Sequence, residues 1–225
     1  MRRFSIALLV GALALALGGT SFARTSAAAN ATLNVVHGIP GVDVNVCLNG
    51  EVAISDFNPG EVVSGVELDS AASYDVKIVA NAAACSGTAI LEAADVTLEA
   101  GKNYTAVAYL MEDGTPTLGM FKNNVRPTDK SMARLTVRHT AAAPAVDVWA
   151  NGSVLATGFV NGGKASLEVP KGVYAAWVSL PGDYQPVIGP AVLKLARGTA
   201  YQVYAWGDGS AGYGFAVVAV EVGTK

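Results

Sequence analysis

The sequence is poor in the residues that most often carry chemistry. It has two histidines and two cysteines among 225 residues, and only 15% of its residues are charged. No H-x-H, H-E-x-x-H or C-x-x-C spacing occurs, and no P-loop is present, so the usual metal, thiol and phosphate motifs are missing. We therefore predict a protein without cofactor, metal or catalytic residues, which is not an enzyme.

Basic residues are also scarce. The chain has 15 Lys and Arg against 18 Asp and Glu, a net charge of −3, which excludes the strongly basic surface typical of nucleic-acid binding. A hydrophobic content of 52% excludes an intrinsically disordered chain, which would have more charge and less apolar surface to bury. We expect a folded protein with a substantial core and no nucleic-acid partner.

The first 29 residues have the pattern of a secretory signal peptide. Arg2 and Arg3 precede an uncharged apolar run over 6–17, and small residues follow it, as in a charged start, an apolar centre and a cleavage site. The run is too short to span a bilayer, which takes about 20 residues. Removing 1–29 takes away three of the 15 basic residues and no acidic one, so the mature chain has a net charge of −6. These features predict a secreted or cell-envelope protein with no membrane span after cleavage, periplasmic in a Gram-negative cell.

The rest of the chain repeats itself with a period close to 100 residues. Ala31–His37 reappears at 133–139, and we align the Val-Asp-Val of 42–44 with that of 146–148. This period is the size of a whole domain rather than of a solenoid unit. We predict two domains of one kind, at 30–125 and 132–225, joined by a polar linker at 126–131.

Each repeat has the pattern of an antiparallel β-sandwich. Short runs of alternating apolar and polar residues are separated by turns rich in Gly, Pro and Asn, which indicates strands. Asn49-Gly50 and Asn151-Gly152 are typical of tight hairpins, whose type I′ turn needs two residues at positive φ. About seven strands in each repeat favour an all-β protein of two tandem immunoglobulin-like domains.

Both repeats resemble a bacterial family called domain of unknown function 4397. The resemblance rests on a strand that ends in Val-His, a loop with a proline, a Val-Asp-Val segment and, in the second repeat, Pro170-Lys171-Gly172-Val173-Tyr174. It covers nearly all of the mature chain. It implies an exported β-sandwich module, often in tandem, without an established activity.

Cys47 and Cys85 both lie in the first repeat. In an exported protein, two cysteines favour a disulfide, here between a predicted strand and the loop around 81–87. The second repeat has Ala150 near the position of Cys47 and no counterpart of Cys85. We therefore predict an accessory disulfide that the fold itself does not require.

One histidine ends the first strand of each repeat. His37 and His139 precede Asp43 and Asp147, and a carboxylate beside an imidazole can orient it for acid–base chemistry. The alternative is a histidine that binds the loop that follows it. One histidine in each domain supplies too few groups for a metal site, so the structural alternative is favoured, and a hydrolase that uses His139 and Asp147 is the less favoured reading.

The aromatic residues of the second repeat are the strongest candidates for a binding site. Strand alternation directs Trp149 and Trp177 outward, whereas Tyr204 and Trp206 share a face of a later strand that is apolar on both faces. Exposed tryptophans stack on sugar rings or anchor a protein partner. The alternative is that a loop or the other domain covers them.

Taken together, the residues predict a secreted or envelope protein that acts as a binding or structural module. Its partner would be an extracellular protein or a glycan, and adhesion through the aromatic residues of the second repeat is the alternative to a purely structural role. The relative pose of the two domains is left open, since the polar linker permits a rigid rod or a hinge.

Overall fold

A computed structural model describes residues 30–81 and 83–225. The predicted signal peptide at 1–29 lies outside the described residues. The described part contains sixteen strands and no helix, so the all-β prediction is confirmed. Each half has eight strands in the same order, one more than the sequence indicates.

The first half forms domain 1. Its strands are β1 (Ala31–His37), β2 (Val44–Leu48), β3 (Glu51–Phe57), β4 (Val62–Leu68), β5 (Ser73–Ala80), β6 (Ala89–Thr97), β7 (Asn103–Leu110) and β8 (Pro116–Lys122). Sheet 1 has the order β3-β2-β5-β6, and sheet 2 has the order β4-β1-β7-β8.

The second half forms domain 2 and repeats this order. Its strands are β9 (Met132–Ala142), β10 (Val146–Ala150), β11 (Ser153–Phe159), β12 (Lys164–Pro170), β13 (Gly172–Ser179), β14 (Pro186–Leu195), β15 (Thr199–Asp208) and β16 (Gly212–Glu221). Sheet 3 has the order β12-β9-β15-β16, and sheet 4 has the order β11-β10-β13-β14.

The sheets are not wholly antiparallel, which corrects one detail of the prediction. β1 pairs parallel with β7, and β9 pairs parallel with β15, whereas the other strand pairs are antiparallel. A parallel pair cannot be joined by a tight hairpin. The chain therefore builds the rest of the domain between β1 and β7 before it returns to β1.

The Asn-Gly turns form as the sequence predicts. Asn49 and Gly50 have φ values of 50° and 85°, and Asn151 and Gly152 have 47° and 80°. Two successive residues at positive φ define the type I′ turn, whose twist matches that of the flanking strands. These turns fix the register of β2 with β3 and of β10 with β11.

Each domain buries one core between its two sheets. In domain 2, sheets 3 and 4 enclose one continuous cluster that includes Leu135, Val148, Phe159 and Val178. In domain 1, the buried residues between sheets 1 and 2 fall into two clusters, one around Val46 and Phe57 and the other around Leu33 and Leu98.

A third buried layer joins the two domains, because the outer faces of sheets 2 and 3 pack on each other. It contains Val36, Val107, Tyr109, Tyr204, Ala216 and Val218. The Arg138 guanidinium lies 3.9 Å from the centre of the Phe121 ring, which is a cation–π contact. The four sheets are therefore stacked in the order sheet 1, sheet 2, sheet 3, sheet 4.

The connection from β8 to β9 is held against domain 2. The Arg134 guanidinium donates to the carbonyl oxygens of Asn124 and Arg126 at 3.0 and 2.7 Å, and it also pairs with Glu168 at 2.7 Å. Thr128 bridges to Thr224 at the other end of the domain. These contacts fix the segment that contains the predicted linker at 126–131.

Among the described residues, no helix has the length and apolar character to cross a membrane.

Candidate binding face and the predicted site residues

His37 and His139 are closed off inside the protein. Each ring is only 1% exposed. The Nε2 of His37 lies 2.8 Å from the Val42 carbonyl oxygen, and that of His139 lies 3.1 Å from the Pro144 carbonyl oxygen. Because a carbonyl oxygen only accepts, Nε2 carries the hydrogen and donates it in both domains. Both histidines thus bind the loop that follows them, as the structural alternative describes.

Burial lowers the pKa of both imidazoles below the ordinary value. Loss of hydration on burial disfavours the charged form, and this outweighs the opposing effect of the nearby carboxylates of Asp43, Glu61 and Glu112 on the pKa. The two histidines are therefore neutral at pH 7 and act as fixed hydrogen-bond donors.

Asp43 is not the counterpart of Asp147, which corrects the sequence alignment. The offset between the domains is 102 residues through this region, so that Asn45 corresponds to Asp147. The Oδ1 of Asn45 accepts from the Asp56 N–H at 3.1 Å, and that of Asp147 accepts from the Gly158 N–H at 2.9 Å. Aligning the two Val-Asp-Val segments, at 42–44 and 146–148, therefore gives an offset that is two residues too large.

Asp147 and His139 do not form a pair. The Oδ2 of Asp147 accepts from the Gly182 N–H at 3.0 Å, so its two oxygens bind β11 and the loop between β13 and β14. The histidine binds Pro144 instead. The polar atoms of His139 and Asp147 thus bind other groups, and the two side chains do not form the pair that the hydrolase alternative needs. Within residues 30–81 and 83–225, no three His, Cys, Asp or Glu side chains form a cluster that could hold a metal ion.

The disulfide between Cys47 and Cys85 is confirmed, with an S–S distance of 2.03 Å. It joins β2, on the outer face of sheet 1, to the loop between β5 and β6. The strand register places Trp149 of domain 2 at the position of Cys47, because Cys47 pairs with Lys77 as Trp149 pairs with Trp177. The residue at the position of Cys47 is therefore Trp149, the immediate neighbour of Ala150.

Three aromatic rings occupy the matching place on the outer face of sheet 4. Trp149 and Trp177 stack with ring centres 5.8 Å apart and an angle of 2° between their planes. The ring of Tyr184 packs edge-on against both, at 4.9 and 5.5 Å. The indole N–H of Trp149 donates to the Ser179 hydroxyl at 2.9 Å, so the first tryptophan is also fixed by a hydrogen bond.

Tyr184 is the residue that sequence reasoning missed. It lies in the loop between β13 and β14, where alternation predicts nothing about orientation. Asp183 orders this loop, because its carboxylate accepts from the N–H groups of Tyr184 and Gln185 at 2.6 and 3.0 Å. The local sequence Pro-Gly-Asp-Tyr indicates only a turn.

Exposed valines surround the aromatic rings. Val173 and Val192 are 62% and 66% exposed, Tyr184 is 57% exposed, and Val154 is also exposed. We call this surface the aromatic face; it consists of Trp149, Val154, Val173, Trp177, Tyr184 and Val192. Trp177 itself is only 9% exposed, since the neighbouring rings cover it.

The matching surface of domain 1 is polar. Where domain 2 has Trp177, domain 1 has Lys77, which pairs with Glu92 at 3.1 Å. Among the described residues, the outer surface of domain 1 keeps one exposed valine, Val52, at the position of Val154, and the aromatic rings are found only on domain 2.

Tyr204 and Trp206 do not contribute to the aromatic face, although the sequence made them candidates for ligand contact. Tyr204 is fully buried between the domains, and its ring stacks on Phe121 at 6.0 Å. Trp206 packs against the same layer, beside Gly60. The physical reason is that β15 is apolar on both faces, one directed to the core of domain 2 and the other to domain 1.

The comparisons with known proteins give a family and a distant structural likeness. A family model described as "Domain of unknown function (DUF4397)" matches residues 31–149. No curated protein matches the chain. The crystal structure of CBMbc (family CBM26) from Eubacterium rectale Amy13K in complex with maltoheptaose is similar over 85% of this chain and 96% of that chain, at 8% identity and a TM-score of 0.26.

Proposed function

The chain belongs to the family of domains of unknown function called DUF4397. From that premise, we propose that the protein is an exported, non-catalytic module. We propose that it binds a protein partner through the aromatic face. The carrying observation is the contrast between the two outer sheets. Sheet 4 has Trp177 where sheet 1 has Lys77 in an ion pair with Glu92, and the outer face of sheet 4 also exposes Val173 and Val192. Two copies of one fold share their structural needs, so the apolar surface of one copy indicates a function of that copy.

The size of the exposed apolar side chains favours a protein as the partner. Soluble proteins seldom expose large contiguous apolar patches, and those that do use them as interaction sites. Val173 and Val192 are among the most exposed large hydrophobic residues of the described chain. An apolar surface on the partner would cover them and gain the free energy of their burial.

A glycan is the second candidate, and Tyr184 is the observation in its favour. Its half-exposed ring could stack on a sugar, as aromatic side chains on sheets do. The tryptophan faces are less available, because Trp149 and Trp177 stack on each other and Tyr184 covers both. The geometry therefore favours the protein partner.

The environment of the histidines supports a module without catalysis. A general base must reach the proton that it removes, whereas the imidazole of His139 is 1% exposed and donates to Pro144. His37 donates to Val42 in the same way. Both rings have a structural role that accounts for their position.

The proposed location is the cell exterior or the cell envelope. The basic and apolar start of the chain is typical of an export signal, and a disulfide persists in an oxidising compartment. The disulfide between Cys47 and Cys85 is consistent with that environment.

The test compares partner recovery by two variants of the tagged mature protein. Val173→Ser/Val192→Ser removes apolar surface from the aromatic face, and Val52→Ser is the matched control on an exposed valine of domain 1. We expect a discrete partner to be cross-linked to wild type and to Val52→Ser in envelope extracts and to be lost from the double variant. Circular dichroism checks that each variant is folded, since exposed positions alter stability by only about 0.5 kcal/mol.

Two results would refute this function. Recovery of the same partner by the double variant would show that the aromatic face is not the contact surface. Binding on a glycan array that disappears in Tyr184→Ala, without a protein partner, would establish the glycan alternative in its place.

A further inference from the structure

Domain 1 contains a cavity of about 140 Å³ between its two sheets. Its walls are apolar side chains of both sheets, among them Leu33, Val46, Ile54, Ala106 and Leu118. An engineered apolar cavity of about 150 Å³ in another protein stays dry and admits benzene. The cavity of domain 1 therefore has room for a molecule of about six carbon atoms.

At two positions of the matching space, domain 2 has larger side chains. By strand register, Ala106 corresponds to Val203, and Leu118 corresponds to Phe215. Val203 is buried in the continuous core of domain 2, and Phe215 packs against it. A pocket of about 120 Å³ in domain 2 lies beside Pro144 and occupies only the histidine end of the matching space. His139, Val146, Val178 and Ala205 line it, as His37, Val44, Ile78 and Ala108 line the cavity of domain 1.

His37 gives the cavity of domain 1 one unused hydrogen-bond acceptor. Its ring lines the cavity, and its Nε2 donates to Val42, which leaves Nδ1 with a lone pair. That atom is buried, and it has no hydrogen-bond partner in the described part of the chain. In domain 2, by contrast, the Nδ1 of His139 accepts from the N–H of Ala141 at 3.4 Å.

The other polar side chain in the wall is already bound. The Tyr74 hydroxyl donates to the Asp69 carbonyl oxygen at 3.1 Å. None of the described residues that line the cavity is charged, so a charged ligand would lose its hydration without gaining a counter-charge. Burial lowers the pKa of His37, so the ring is neutral at pH 7 and Nδ1 accepts rather than donates.

We propose that the interior of domain 1 is a binding site for a small, uncharged hydroxyl compound of about six carbons. The hydrocarbon part fills the cavity, and the hydroxyl donates its hydrogen to Nδ1 of His37. This site is separate from the aromatic face, and neither depends on the other.

The test measures the affinities of the mature protein for phenol and for benzene by calorimetry. The two probes have the same ring and differ in the hydroxyl. Because a buried hydrogen bond to an otherwise unpartnered atom contributes to binding, we expect wild type to bind phenol about tenfold more tightly than benzene. His37→Gln keeps an amide N–H for the Val42 carbonyl and lacks the second ring nitrogen, so the two affinities should become equal.

Two further variants separate this site from the rest of the protein. Ala106→Val/Leu118→Phe gives domain 1 the two residues of domain 2 and should abolish binding of both probes while the protein remains folded. His139→Gln makes the same chemical change in domain 2, where Nδ1 already accepts from Ala141, and should leave the ratio of the two affinities unaltered. If His37→Gln fails to fold, the filled variant still decides whether the cavity is the site.

The proposal is wrong if wild type binds neither probe, or if it binds phenol and benzene equally well. It is also wrong if the folded, filled variant retains wild-type affinity for phenol.

Discussion

Domain 1 and domain 2 fix the same loop to the outer sheet by different chemistry. In domain 1, the disulfide between Cys47 and Cys85 attaches the loop between β5 and β6. In domain 2, Trp149 stands at the position of Cys47, and Tyr184 of the matching loop packs on it and on its neighbour Trp177. The disulfide holds its loop without exposing apolar side chains, so the surface around it can be polar. The packed aromatic rings hold the matching loop and make the surface there apolar.

One strand position beneath these attachments binds the loop in both domains, as a donor in domain 1 and as an acceptor in domain 2. The Nδ2 of Asn45 donates to the Asn81 carbonyl oxygen at 2.8 Å, and the carboxylate of Asp147 accepts from the Gly182 N–H at 3.0 Å. The loop is therefore held in both copies by a polar side chain at one strand position. The difference between the outer faces comes from the residues placed above that common support.

The largest effect is expected from the layer that the two domains share. Tyr204→Ala removes a fully buried ring, and such truncations cost about 3–5 kcal/mol. We expect urea unfolding, followed by circular dichroism, to change from one transition to two as the domains separate. Tyr184→Ala, at an exposed tyrosine, is the control. A single transition in Tyr204→Ala would show that the layer does not couple the domains.

The next effect belongs to domain 1 alone. Cys47→Ser/Cys85→Ser opens a loop with a sequence separation of 38 residues, for which the chain-entropy account gives a loss of about 3–4 kcal/mol. Hydrogen exchange should accelerate throughout sheet 1 and stay unchanged in sheet 4. Equal acceleration in the two outer sheets would contradict the independent attachment of the two loops.

A smaller effect is expected from the aromatic attachment in domain 2. Tyr184→Ala removes two edge-on contacts, each of which contributes about 0.5–1.5 kcal/mol beyond burial, from a side chain that is half exposed. We expect a loss of about 1 kcal/mol and faster hydrogen exchange confined to residues 180–185. Tyr184→Phe keeps the ring and should behave as wild type. If Tyr184→Ala leaves exchange at 180–185 unchanged, the ring does not hold the loop.

The smallest expected effect is the change of folding stability with pH that comes from protonation of the two histidines, and it should be alike in both domains. Their folded-state pKa values are lowered by burial, so the unfolded chain binds protons more readily. Their contribution to stability is complete above about pH 6.5 and is lost as the pH falls toward the folded-state pKa. Chemical denaturation between pH 7 and pH 4 should show a decline that is smaller in His37→Gln/His139→Gln. A decline of equal size in that variant would assign the acid sensitivity to other groups.

The repeat and the hairpins could be predicted because they depend on local chemistry. Asn49-Gly50 and Asn151-Gly152 adopt positive φ whatever surrounds them, and the alternation along Ser73–Ala80 reflects one buried face of a strand. The alignment failed around Asp147, because the letters Val-Asp-Val recur in a shifted frame while the strand register does not shift.

The face-to-face packing of the domains could not be read from alternation. β7 and β15 are buried along nearly their whole length, and a continuous apolar run indicates a strand buried on both faces. β15, which contains Tyr204 and Trp206, has such an apolar run. The run indicates that both faces of the strand are buried, but it does not identify what covers the second face. Tyr184 had no signal, because the orientation of a loop residue depends on tertiary contacts.

Site-specific photo-cross-linking in intact cells tests most directly whether only domain 2 presents a surface for a partner. A photoreactive residue replaces Val192 on the aromatic face in one variant and Glu92 on the polar face of domain 1 in the other. We predict one discrete cross-linked protein from position 192 and none from position 92. Cross-linking of the same partner from position 92, or of no partner from position 192, would contradict the account.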